Sequence, residues 1–203
     1  MPPVVAPTTT KISGVAADGP LQGAIACYDL NDNNTCNPGE PARATPTDAN
    51  GAFSFEVANA EAGKHRVVVD VPASAIDKDT GVAVGTSFKL FAPATGSASQ
   101  AVFASPLTML VQAHMDASGA TRSAASNFIK AQASLAFSPL DDFTAVATAD
   151  SRQAATVGRL LLLTEREQVR VLAPLVGQTP LGSAPITAAQ VNKAITLYRI
   201  PSR

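Results

Sequence analysis

Apolar and polar side chains alternate from residue 52 to residue 57, as Ala-Phe-Ser-Phe-Glu-Val. A period of two places Phe53, Phe55 and Val57 on one face of a strand. The run follows Thr47-Asp48-Ala-Asn50-Gly51, and Asn-Gly supplies the positive φ that a tight hairpin needs. Upstream, residues 11–17 read as a strand broken by Asp18-Gly19-Pro20. Residues 23–28 read as a second, with Ile25 and Cys27 on one face. Downstream, residues 66–71 form a strand stopped by Pro72, residues 77–81 a turn, and residues 82–84 and 87–91 two further strands. Roughly six or seven short strands in about 90 residues is the pattern of a β-sandwich.

The spacing changes near residue 104. Nine of the thirteen glycines lie within residues 11–104, and the remainder is rich in Ala, Leu and Gln. Leu107, Leu110, Val111 and Met115 fall on one face of a helix with Pro106 at its start. Thr121 is placed to cap a helix through Phe128 and Ile129 to Leu135, which Phe137-Ser-Pro139 ends. Asp150-Ser151 begins a third helix, carrying Val157, Leu160, Leu161 and Leu163. Thr164-Glu-Arg-Glu167 and Thr187-Ala-Ala-Gln190 have capping-box spacing, the latter ahead of Val191, Ile195 and Tyr198. Helices of this length bundle. The expected fold class is therefore α+β, with a tether over residues 1–10, a β-sandwich over 11–104 and a helical bundle domain over 105–203.

Composition narrows the setting. Charged residues make up 15% of the 203, against roughly a quarter in an average domain. The surface is left to Ala, Ser, Thr, Asn and Gln, as is common outside the cell. A net charge of −1 with no basic run argues against nucleic acid as a partner. Apolar runs such as Leu160 to Leu163 fall far short of the roughly 18 residues that span a bilayer. Residues 1–5 have neither the charged nor the apolar region of a signal peptide. The expectation is that an export signal has been removed ahead of Met1, and that Pro7-Thr-Thr-Thr10 is part of the tether.

Candidate chemistry is concentrated in residues 27–40, Cys-Tyr-Asp-Leu-Asn-Asp-Asn-Asn-Thr-Cys-Asn-Pro-Gly-Glu. Calcium takes six to eight oxygens, and a twelve-residue loop delivers them from positions 1, 3, 5, 7, 9 and 12. Counting from Asp29 gives Asn31, Asn33, Thr35 (through its carbonyl), Asn37 and Glu40. Position 6, usually Gly, is Asn34, the next-best residue at positive φ. Asp32 is expected to point outward. Pro38-Gly39 prevents an exiting helix, so the loop lies between strands. With two carboxylates among the ligands, affinity is expected on the order of 10⁻⁴ to 10⁻³ M, the range of extracellular structural sites. The competing reading is an Asx-rich turn with no metal.

Cys27 and Cys36 are the only two cysteines. Bridged, they would close a loop of about ten residues, worth roughly 2.5–3 kcal/mol in the chain-entropy model. They would also pre-order the calcium ligands. A disulfide points to the periplasm or the cell exterior; two buried free thiols are the alternative. Zinc lacks the companion ligands it needs. His65, after a glycine turn, is expected to be exposed, and His114 to sit on a helix surface or at the edge of a core. No Gly-x-Ser-x-Gly surrounds any serine, so no hydrolase elbow is present. Asp141-Asp142 reads as a solvated turn, Asp48 and Asn50 as turn residues, and Asp77 with Asp79 as a turn or a second calcium site.

Ile12-Ser-Gly14-Val, Gly23-Ala-Ile25, Thr47-Asp48-Ala-Asn50-Gly51-Ala-Phe53-Ser-Phe55 and Gly63-Lys-His-Arg-Val67-Val together resemble the carboxypeptidase regulatory-like, or transthyretin-like, β-sandwich. B-type repeats of bacterial surface proteins share this outline and carry calcium loops of similar composition, although their loop precedes the strand that here precedes it. The resemblance spans about residues 11–92 and implies a seven-stranded Greek-key accessory or stalk module without catalysis. The Ser-Pro-Leu-Thr stretch that follows resembles lipoproteins of Gram-negative bacteria.

The expected function is a non-enzymatic surface or periplasmic module, stabilised by calcium and a disulfide, for structural display or adhesion to a cell-surface or matrix component. One alternative is an accessory or ligand-binding domain of a secreted hydrolase. Another is an extracellular filament subunit that self-associates by strand addition of its N-terminal tail.

Overall fold

The computed structural model describes residues 8–42, 45–97, 101–145 and 156–158. Their strands, in chain order, are β1 (Thr9–Ala16), β2 (Leu21–Gln22), β3 (Ile25–Tyr28), β4 (Ala52–Ala58), β5 (Val67–Val71), β6 (Ile76–Asp77), β7 (Val82–Ala83), β8 (Phe88–Ala92) and β9 (Val102–Ala104). Two helices follow, α1 (Pro106–Ser118) and α2 (Arg122–Gln132). The architecture is thus β-rich with a few helices.

The strands form three three-stranded sheets, β4-β1-β9, β3-β5-β8 and the small β2-β6-β7 ribbon. In the first, β1 pairs antiparallel with β4, Ile12 opposite Phe55, and parallel with β9, Val15 opposite Phe103. In the second, β5 is central and antiparallel to both neighbours, with Val69 opposite Ala26 and Leu90. These two sheets share one core. Ile12, Phe53, Phe55, Val57 and Val102 enter it from one side, and Ala26, Tyr28, Val67, Val69, Val71 and Leu90 from the other. The period-two reading of Phe53, Phe55 and Val57 therefore names core residues.

The turn ahead of β4 differs from the hairpin expected of it. Thr47 exchanges backbone hydrogen bonds with the Gly23–Ala24 stretch, whereas β4 pairs with β1. The turn passes the chain from one partner to another. Asp48 Oδ1 accepts from the N–H of Asn50 (2.8 Å) and of Ala52 (3.0 Å), and Gly51 takes φ 71°. Residues 77–81 are a turn as read, closing the β6–β7 hairpin, with Gly81 at φ 69°. β2, β6 and β9 were not foreseen. At two or three residues each they are too short to show a period, and tertiary pairing alone makes them strands.

Helix α1 starts at a Ser105 N-cap in a capping box with Thr108, has Pro106 in its first turn, and stops at Gly119, φ 69°. It is buried all round from Pro106 to Ala113, which exceeds the one-faced burial that its spacing suggests. Met109 enters the core between the sheets, while Leu107, Leu110 and Val111 join a second cluster with Ala17, Phe103, Ala125 and Ile129. The Thr108 hydroxyl donates to the Phe91 carbonyl at 2.7 Å, occupying an acceptor of strand β8. Helix α2 is capped by Thr121, as expected, but ends at Gln132 instead of running to Leu135. Ser134 turns the chain at φ 52°, and Leu135 is buried against the same cluster. His114 stacks on Phe128 with centroids 4.1 Å apart, at the contact between the helices. Residues 156–158 are helical, and Val157 packs against the second cluster. Of the tether expected over residues 1–10, Thr9 and Thr10 instead belong to β1, paired with Ala58 and Val57, and residues 1–7 lie outside the described residues, as do the rest of the third helix and the helices begun at Thr164 and Thr187.

Gly14 marks the closest approach in the β1 sheet. A Cβ there would meet the backbone carbonyl of Val102 and the ring of Phe53. Its substitution is thus limited by space and not by φ. Gly14→Ala is expected to cost about 1–3 kcal/mol in urea unfolding. Ser13→Ala, one exposed position away, should stay within about 0.5 kcal/mol.

Candidate metal-binding loop

Residues 29–40 leave and rejoin the sheet at one place. Tyr28 N–H donates to Pro41 O at 2.8 Å, Asp29 N–H to Arg66 O at 3.1 Å, and Cys27 forms a bridge pair with Ala42. Alternation along β3 sends Ala26 and Tyr28 into the core, so Cys27 faces the other way. There it is bonded to Cys36, with Cα atoms 5.6 Å apart. The disulfide of the sequence reading is present, and it divides the loop from within.

Inside the loop the six proposed ligand residues form one polar network. Asp29 is fully buried. Its Oδ1 accepts from Asn33 N–H (3.1 Å) and its Oδ2 from Asn34 N–H (2.8 Å). Asp32 at φ 55° and Asn34 at φ 61° turn the backbone so that successive amides point at this carboxylate. Glu40 reaches from the loop's end to its beginning: Oε1 accepts from Leu30 N–H and Oε2 from Asn37 N–H, both at 2.9 Å. Asn31 Oδ1 accepts from Asn33 N–H at 3.2 Å, and Asn33 Oδ1 from Thr35 N–H at 2.9 Å. Asn37 departs from the role expected of it. It presents Nδ2, donating to Asn33 Oδ1 at 3.1 Å and Thr35 O at 3.0 Å. Serving a cation would require a half-turn of that amide.

Two cations distant in sequence, Arg66 just before β5 and Lys89 in β8, brace the outside of the loop. Lys89 Nζ donates to Asn34 O (2.9 Å) and Thr35 Oγ1 (3.1 Å), and pairs with Asp70 at 3.4 Å. Arg66 Nη1 donates to Asn34 Oδ1 at 2.8 Å, and its Nε lies 3.6 Å from the exposed Asp32 carboxylate. Neither was singled out from sequence. The available signal was that Arg66, Asp70 and Lys89 interrupt otherwise apolar strands, with Asp70 and Lys89 directly opposite in register.

Among the described residues no group of three or more His, Cys, Asp or Glu side chains gathers at one point. The proposed ligand set has two carboxylates, Asp29 and Glu40, and draws its other oxygens from amides, a hydroxyl and carbonyls. With both cysteines bonded to each other and no histidine in the run, these donors are all hard oxygens, which suit calcium and not zinc. Each carboxylate keeps lone pairs beyond those its amide donors use.

The remaining candidates lie in local turns. Asp77 Oδ1 accepts from Asp79 N–H (2.9 Å) within the β6–β7 turn. Asp141 and Asp142 accept from Ser138 N–H and Thr144 N–H. His65 is half-buried and not exposed: Nε2 lies 3.0 Å from Glu61 Oε2, its N–H donates to the Tyr28 hydroxyl at 3.1 Å, and its ring meets Tyr28 edge-on. Compared with known proteins, the chain matches no protein family, no curated protein and no solved structure. No helix among the described residues is long and apolar enough to cross a membrane.

Removing the bridge returns loop entropy to the unfolded chain. The double variant Cys27→Ala/Cys36→Ala should lose about 2.5–3 kcal/mol in urea unfolding. Wild-type protein in reductant should lose the same amount, and the double variant should not respond to reductant.

Proposed function

We propose that the protein is a non-enzymatic module held rigid by a calcium-filled, disulfide-closed loop, serving structural display or adhesion on a bacterial surface or in the periplasm. The observation that carries this reading is that Asp29 and Glu40, at the two ends of the loop, both hydrogen-bond its backbone amides. A fully buried carboxylate from the loop's first position and a second from its last both turn toward the loop backbone, across a covalent bridge. Burying an ionised carboxylate is costly unless charge or hydrogen bonds compensate, and a divalent cation supplies the strongest compensation. Asp29, Asn31, Asn33, the Thr35 carbonyl, Asn37 and Glu40 would hold the ion. Its role is structural: it ties the chain leaving β3 to the chain returning at Pro41.

The transthyretin-like character of the β half belongs to the same proposal. It is supported by two three-stranded sheets around a shared core and by the chain positions of Gly14, Gly51 and Phe53. Export is supported by the Cys27–Cys36 bond. A cell-surface or matrix component is the partner class that such display implies.

Thermal unfolding with calcium and with chelator tests the loop. At about 10 mM calcium, some 100-fold above a Kd on the order of 10⁻⁴ M, stabilisation should reach about 2.7 kcal/mol, a Tm rise of about 5–10 °C. Asp29→Asn combined with Glu40→Gln should abolish the rise. Asn34→Gly, which suits positive φ, should keep it. No calcium retained in equilibrium dialysis at millimolar concentration refutes the site.

A further inference from the structure

Arg66 joins the loop to the helical layer. Its carbonyl receives Asp29 N–H at 3.1 Å, so its backbone already fixes the loop's first residue. Its guanidinium then bridges two elements. Nη1 donates to Asn34 Oδ1 at 2.8 Å on the loop side and lies 3.4 Å from Asp116 Oδ2 on helix α1. Asp116 in turn accepts from Gln112 Nε2, one helical turn back, at 2.8 Å. Gln112 is buried, and only 15% of the Arg66 side chain is exposed. Asn34, Arg66, Met109, Gln112 and Asp116 line one cleft between the loop and the helix. Met109 is the side chain through which α1 also enters the core between the sheets.

We infer that the loop and helix α1 form one conformational unit, with Arg66 transmitting loop order to the seating of the helical layer. Asn34 offers its amide oxygen to Arg66 only while the backbone holds φ 61°, and that turn is maintained by the Asp29 carboxylate and by closure at Cys36. When the loop loosens, Arg66 loses both of its loop contacts, Asn34 and the exposed Asp32, and of these partners keeps the partly exposed carboxylate of Asp116, which water competes for. Whatever orders the loop therefore tightens α1 against strands β8 and β9. Calcium need not fill the loop for this coupling to operate, because the disulfide orders it as well.

Hydrogen exchange of the full chain, oxidised and after reduction with tris(2-carboxyethyl)phosphine, tests the coupling. Residues 110–116 of α1 should exchange about tenfold faster after reduction, matching loss of one hydrogen bond to a charged group. Asn34→Gly keeps the left-handed backbone and the carbonyl that Lys89 binds, but removes Oδ1. In the oxidised state this variant should already show the faster α1 exchange, and reduction should add little. The inference is overturned if reduction frees loop amides while α1 is unaffected, or if Asn34→Gly leaves α1 exchange at the wild-type rate. Should reduction open the whole molecule, seen as simultaneous exchange of Val68 and Val69, the oxidised Asn34→Gly measurement decides alone. Calcium binding measured on the same samples reports separately on the loop as a metal site.

Discussion

Strand β1 carries apolar side chains to both of its faces where it meets β9. Ile12 and Ala16 point into the core between the two large sheets, while Val15 packs with the helices, and Ala17 follows it there just beyond the strand. β9 repeats the arrangement, with Val102 and Ala104 on the inner side and Phe103 on the outer. A sheet whose two faces are both apolar at one end must be covered twice. The opposing sheet supplies one cover and helices α1 and α2 the other. Gly14 keeps the β1 and β9 backbones close enough for this to work, since any side chain there would push Val102 away. The helices are consequently a layer of the β structure and not an appendage to it.

The same demand explains why α1 is buried around its whole circumference over two turns. It occupies the open side between edge strands β8 and β9, giving Met109 to one core and Leu107, Leu110 and Val111 to the other. Thr108 completes the seal by donating to the Phe91 carbonyl of β8, so part of an exposed strand edge is covered. A helix in this position senses the strands on which it sits. Arg66 immediately precedes β5, the central strand of the second sheet, and it touches both the loop and the helix. Loop, sheet and helix thus meet at one side chain.

The loop is an example of polar structure sustained by an apolar frame. Its hydrogen bonds are short-range, mostly between residues two to five apart, and alone they would not outweigh the entropy of ordering twelve residues. Ties from outside hold it: the bond from Cys36 back to Cys27, the carbonyl and guanidinium of Arg66, and the ammonium of Lys89. Each comes from strand geometry established by Val67, Val69 and Leu90 in the core.

Much of this could be read without coordinates. The alternation over residues 52–57 marks Phe53, Phe55 and Val57 as inward because a strand's side-chain period is local and rigid. Pro106, Thr121 and the Asn-Gly turn mark their elements because caps and positive φ are decided within a few residues. The spacing of Asp29, Asn31, Asn33 and Glu40 outlines a loop of oxygens for the same reason. Tertiary structure alone decided the parallel pairing of β9 with β1, the partner strand of β4, and the double burial of α1. It also chose the half-buried setting of His65 beside Tyr28, and brought Arg66 and Lys89 to the loop. These contacts join residues 30 to 90 positions apart, and no local preference encodes a distance of that kind; only the packing of one sheet on another brings them together.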